Sequence, residues 1–189
     1  MKKGILLIGP YYAGKTTCSK EVASSCNWKR YDLDDIYTEK YEESIWATRN
    51  IKNNKALSSQ QRDKIGFEII NNIKNEPENS IVVFGGGSFF NDHPEQLDII
   101  KSTHTCVYLF PTRQTLVERA MNDKEFGVNQ FLFRDADNNH VDKYFEQLHL
   151  KKGSDYLKWA DRIIEPNHDW SVEKICFKIL SCYFSEKIK

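Results

Sequence analysis

Short aliphatic runs alternate along the chain with longer segments whose apolar residues recur at helical spacing. Residues 3–9, 81–84 and 105–110 are apolar almost without a break, the pattern of strands buried on both faces of a parallel sheet. Residues 28–33 form a weaker strand candidate that ends in acidic side chains, and 162–165 a last short one. Helical spacing predicts helices over 14–25, 34–50, 58–74, 112–121, 140–159 and 170–184, the last capped by Asp169, and another from about Pro94 to 101. In the segment 58–74, Ile65, Ile69 and Ile73 fall four apart and so share one face. Residues 75–80 carry turn chemistry around Pro77. Residues 122–139 are polar, irregular and long for a passive connection, which suggests a lid or binding loop.

Strand and helix in turn predict an α/β fold, a three-layer α/β/α arrangement around a parallel sheet of about five strands. In such sheets ligands sit beyond the carboxyl ends of the strands. Three unusual segments fall there: a glycine-containing loop after the first strand, the acidic turn at 32–34, and Gly85-Gly86-Gly87. A length of 189 residues fits a single domain spanning 1–189. Lys plus Arg equals Asp plus Glu at 27 each, so no basic field points to nucleic acid, and no nucleic-acid partner is expected. The apolar run 5–8 is too short for a membrane span or a signal-peptide core, so no membrane association is expected. Five scattered cysteines without a CxxC pair read as reduced packing residues in a cytoplasmic protein, and a monomer or weak homodimer is expected.

The loop Gly9-Pro10-Tyr11-Tyr12-Ala13-Gly14-Lys15-Thr16 matches G-x-x-x-x-G-K-[ST], between a buried strand and a helix. That context makes it a phosphate-binding loop for a nucleoside triphosphate, taken to be ATP. Backbone N–H groups from Gly9, Ala13 and Gly14 through Thr17 would surround the phosphates, and the helix presents its positive end to them. Lys15 would neutralise the outer phosphates and the Thr16 hydroxyl would coordinate Mg2+. Tyr11 and Tyr12 are bulky but occupy variable positions. Alternation along a strand would let Asp32 and Asp34 point into the same site. One carboxylate would hold magnesium through water, and the other would accept a hydrogen bond from a substrate hydroxyl and assist its deprotonation. Gly85, Gly86 and Gly87 would let backbone N–H groups approach a ligand closely. Phe89 and Phe90 suit either a pocket wall or packing at the strand end.

These motifs, in this order, resemble the shikimate kinases, a branch of the P-loop small-molecule kinases. The resemblance covers most of the chain, continuing through Val107-Tyr108-Leu109 to the helix around Lys152 and Tyr156. It implies a P-loop nucleoside triphosphate hydrolase fold of the nucleotide-kinase type. It also implies transfer of the ATP γ-phosphoryl group to a hydroxyl of shikimate, giving shikimate 3-phosphate and ADP. By the same resemblance Asp32 contacts magnesium through water and Asp34 contacts the substrate hydroxyls. Arg62 grips the substrate carboxylate, Gly85, Gly86 and Gly87 touch substrate or phosphate, and Arg119 lies near the adenine. Arg134 reaches the transferred phosphate from a lid at about 122–138, and a helical segment at about 36–74 forms the substrate side.

The chain departs from the family at several positions. Lys152 stands where the family has a second carboxylate-binding arginine, and a lysine is a point charge without the planar fork. Ile65 stands three positions after Arg62 where a glutamate is usual, and 129–134 lacks an arginine–proline pair. The acceptor therefore stays open between shikimate and another small acid, sugar acid or nucleotide. A nucleotide-binding regulatory protein without phosphotransfer is the alternative of another class.

Overall fold

The computed structural model describes residues 2–41, 59–75, 79–84, 88–122 and 138–187. Five strands, β1 (Gly4–Ile8), β2 (Lys29–Asp32), β3 (Ser80–Val83), β4 (His104–Leu109) and β5 (Arg162–Ile164), form one sheet in the order β2-β3-β1-β4-β5. Every pairing is parallel, and Leu7 of β1 lies between Val83 and Val107. The chain winds from β1 toward β2 and β3 on one side, then crosses to β4 and β5 on the other. The carboxyl end of β1 thus lies at the switch in winding direction, where such sheets bind ligands. This is the parallel sheet with helices on both faces that the strand–helix alternation implies.

Eight helices accompany the sheet among the described residues: α1 (Lys15–Cys26), α2 (Leu33–Tyr41), α3 (Ser59–Asn75), α4 (Ser88–Asp92), α5 (Pro94–Thr103), α6 (Arg113–Asn122), α7 (Asn138–Trp159) and α8 (Val172–Lys187). Because side chains alternate along a strand, each strand feeds both faces. Leu6, Ile8, Val82, Phe84, Cys106 and Tyr108 pack against α3, α4, α5 and α7, where Ile65, Ile69 and Ile73 form the apolar stripe of α3. Ile5, Leu7, Val83, Val107 and Leu109 pack against Cys18 and Val22 of α1 and Ile175, Ile179 and Tyr183 of α8. A third cluster joins α6 to α7 through Leu116, Ala120, Val141 and Phe145, and Tyr12 of the glycine loop packs on it.

The element boundaries depart from expectation in three places. The helix expected over 34–50 begins at Leu33 and is described only to Tyr41. Phe89 and Phe90 belong to a short helix, α4, that was not anticipated; both are buried against Phe84. Asp169 does not cap α8. A turn closed by Trp170 N–H to the Asn167 carbonyl delays the helix, Ser171 Oγ accepts from Lys174 N–H (3.3 Å), and Asp169 pairs with His168 instead.

At the opposite end of the sheet from the glycine loop, His104 is 1% exposed, bonded to Ser80 Oγ through Nε2 (2.8 Å) and to Thr103 Oγ1 through Nδ1 (2.9 Å). Burial, with Lys2 and Lys3 nearby, lowers its pKa to about 4. Above the unfolded value of about 6.5 both states are neutral; between there and about 4 only the unfolded chain takes up the proton. Stability is therefore full above pH 6.5 and is lost as pH falls toward 4, by about 3 kcal/mol from this group. Urea unfolding at several pH values should show a smaller acid slope in His104→Gln than in the wild type.

Candidate active site

The glycine loop leaves β1 at Ile8 and enters α1 at Lys15. Two glycines permit its path. Gly14 has φ 90°, and a Cβ on Gly9 would lie 2.6 Å from the Leu109 carbonyl oxygen. Ala13 N–H closes the turn on the Pro10 carbonyl (3.3 Å). Lys15 is 7% exposed and folds back over the loop, its Nζ donating to the carbonyls of Gly9 (2.9 Å) and Pro10 (2.8 Å). Burial lowers its pKa to about 8, opposed by the negative charges of Asp34 and, to a smaller extent, Asp32. An incoming phosphate would offer this cation stronger acceptors than two carbonyls.

Arg119 of α6 donates from Nη1 to the Tyr12 carbonyl (2.9 Å), so the arginine expected near the adenine lies against the loop itself. Together with the Tyr12 ring on the α6–α7 cluster, this ties the loop to the two helices that flank 123–137. The bulk of Tyr12, which the motif leaves unexplained, is a packing anchor.

Asp32 is the last residue of β2 and 2% exposed. Its Oδ2 accepts from Thr16 Oγ1 (3.1 Å), and its Oδ1 accepts from the Asp34 N–H (3.1 Å) at the start of α2. Burial pushes its pKa up; Arg30 pulls it down, Asp35 pushes it up, and the Thr16 and Asp34 hydrogen bonds pull it down. Asp34 is not on the strand. It sits in the first turn of α2, where a negative charge suits the helix dipole, and it acts on Lys15 more strongly than Asp32 does. The two carboxylates thus meet at one site by a strand-to-helix turn rather than by alternation. The true alternating partner of Asp32 is Arg30, which bonds to it directly (2.5 Å) and which the motifs do not mark.

The structure therefore brings Gly9, Ala13, Gly14, Lys15, Thr16, Thr17, Asp32, Asp34 and Arg119 to one region at the carboxyl end of β1 and β2. Arg62 falls in the first turn of α3 and Lys152 within α7, but their side chains lie outside the described set. Gly85, Gly86, Gly87 and Arg134 lie outside the described residues altogether. A hydroxyl and a carboxylate are hard oxygen donors, the kind Mg2+ takes in ones and twos while phosphates and waters complete its shell. Among the described residues no group of three or more His, Cys, Asp or Glu could hold a metal alone. No described helix is long and apolar enough to cross a membrane.

A parallel sheet with a buried lysine in its first glycine loop, near the charges of two carboxylates at the switch point, has the form of a P-loop site, and the relatives make the chain an ATP-dependent phosphotransferase acting on a hydroxyl. The shikimate kinase family model matches residues 12–183, and the chain belongs to that family. The match begins inside the glycine loop. A shikimate kinase of Francisella tularensis subsp. holarctica is 29% identical over 186 residues, covering 98% of this chain and 97% of its own. Among solved structures, shikimate kinase from Acinetobacter baumannii in complex with shikimate aligns over 100% of this chain and 97% of its own, with a TM-score of 0.75 and 21% identity. A gluconokinase from Sinorhizobium meliloti 1021 shares the fold at a TM-score of 0.57 and 13% identity, over 100% of this chain and 97% of its own.

Proposed function

We propose that this chain transfers the γ-phosphoryl group of ATP to a hydroxyl of shikimate, giving shikimate 3-phosphate and ADP. The observation that carries the phosphotransfer reading is the bond between Thr16 Oγ1 and Asp32 Oδ2, with Lys15 buried beside both Asp32 and Asp34. Shikimate as acceptor is supported by membership of the family and by near full-length likeness to relatives of that name.

In this reading the backbone from Gly9, Ala13 and Gly14 to Thr17 cradles the phosphates, and Lys15 turns from the loop carbonyls to the outer phosphate oxygens. Thr16 and Asp32 would hold Mg2+, which when bound spreads and neutralises charge on the phosphates. Asp34 accepts a hydrogen bond from the acceptor hydroxyl, aligns its oxygen with the phosphorus and takes its proton as the new P–O bond forms and the bond from the phosphorus to the departing ADP oxygen breaks. Arg119 holds the loop against α6 beside the adenine. Arg62 and Lys152 would bind the acceptor carboxylate, Gly85, Gly86 and Gly87 would touch the substrate or the phosphate, and Arg134 would reach the transferred group. Residues 1–189 work as one domain, with the substrate side at about 36–74 and a lid at about 122–138 whose closure excludes water.

Initial rates of ADP release with shikimate, gluconate and a nucleoside as acceptors test the proposal. We expect kcat/KM for shikimate to exceed the others by at least about a hundredfold, as a site with several polar contacts discriminates. Faster turnover of another acid, favoured by Lys152 in place of arginine, would replace shikimate. ATP binding without transfer to any acceptor would overturn the kinase reading.

A further inference from the structure

Arg30 holds both members of the Thr16–Asp32 pair. Its Nη2 donates to Asp32 Oδ2 (2.5 Å), its Nη1 to Asp35 Oδ2 (2.7 Å), and its Nε to Ser19 Oγ (2.8 Å). Ser19 is fully buried and in turn donates to the Thr16 carbonyl (3.0 Å). One guanidinium on β2 therefore reaches Asp32 directly and Thr16 through α1, and Asp35 pins its outer edge to α2. The three acceptors lie around a planar fork, a geometry that a lysine ammonium cannot reproduce.

The charges around Asp32 explain what such a clasp does. The Asp32 side chain is 1% exposed, and a buried carboxylate without a counter-charge is costly. Arg30 is the cation in contact with it; Lys15 acts from farther off, and Asp34 and Asp35 add negative charge. Both carboxylate oxygens are already engaged, Oδ2 by Arg30 and Thr16 and Oδ1 by the Asp34 N–H. A divalent cation arriving with the nucleotide meets an oxygen that already carries a positive partner.

We propose that Arg30 is a positioning residue that serves as the resident counter-charge of the metal-site carboxylate: it fixes the spacing of Thr16 and Asp32 and weakens divalent-cation binding there. The inference rests on the reading of Thr16 and Asp32 as the metal pair. Mn2+ binding to the ADP complex, followed by the electron paramagnetic resonance signal of free Mn2+, tests it. Arg30→Gln keeps a donor and removes the charge. Its Mn2+ dissociation constant should fall on the order of tenfold, the short-range effect of one unit charge on a divalent ion even at the dielectric constant of water. Arg30→Lys keeps the charge and loses the fork. It should retain wild-type Mn2+ affinity at full stoichiometry, with kcat lowered and both KM values within about twofold; the full Mn2+ stoichiometry excludes a loss of folded protein as the cause of the lower kcat. Unchanged or weaker Mn2+ binding in Arg30→Gln overturns the proposal, as does full kcat in Arg30→Lys, which stands alone if the glutamine variant does not fold. Asp32→Ala separates the two levels. If it binds Mn2+ like the wild type, the metal-pair reading fails and this inference with it. If it loses binding while Arg30→Gln is unchanged, only the inference fails.

Discussion

Lys15→Met should lower kcat by a factor on the order of 10² to 10³ while leaving the protein folded. The loss follows from removing the buried cation of the glycine loop, comparable to deleting a preorganised donor at a site of developing charge. Folding should survive because Lys15 now sits among backbone carbonyls at a cost in desolvation, which methionine does not incur. Circular dichroism and thermal unfolding check the second half of that expectation, and single-turnover rates the first. Lys15→Arg should fare little better, since a planar guanidinium does not reproduce the compact point charge that the ammonium places against the Gly9 and Pro10 carbonyls. The pH profile adds an independent readout. With a pKa of about 8, free Lys15 is charged at neutral pH and loses its proton as pH rises through that value. The kcat/KM for ATP should therefore be flat below about pH 8 and fall above it.

The second large effect is expected at Asp34. Asp34→Asn keeps the size and a hydrogen-bonding oxygen but removes the charge and the base. General-base contributions are typically about 10² to 10⁴, and kcat should fall by that order with KM for ATP little changed. Asp34 is also the foremost charge holding up the Lys15 pKa, so the alkaline limb of the ATP profile should move to lower pH in this variant. A fall in kcat without that movement would separate the catalytic role of Asp34 from its electrostatic one.

Much of this architecture is written in local pattern. β1, β3 and β4 are legible because strands buried on both faces must be apolar throughout, and α3 because Ile65, Ile69 and Ile73 mark its inner stripe. The glycine loop is legible because its backbone path demands glycine at Gly9 and Gly14. What escaped is set by tertiary packing. α4 exists because Phe89 and Phe90 find an aromatic bed on Phe84, which no periodicity over five residues can announce. The start of α8 depends on a turn between Asn167 and Trp170, which brings Ser171 rather than Asp169 to the Lys174 N–H.

Asp32 and Asp34 meet at one site without the rule of two, since β2 ends at Asp32 and the next residue begins a helix. The same rule of two, applied backward along β2, points to Arg30. That signal was available, but an arginine on a half-exposed strand carries no motif. The acceptor side remains least legible, because Arg62, Lys152 and Arg134 owe their meaning to family resemblance alone.

The most direct test of the account is phosphorus nuclear magnetic resonance of a reaction containing the protein, ATP, Mg2+ and shikimate. The account predicts a new phosphomonoester resonance, coupled to a ring proton of shikimate, that grows in step with ADP. Appearance of ADP with inorganic phosphate alone, or no consumption of ATP with shikimate where another small acid is phosphorylated, would contradict it.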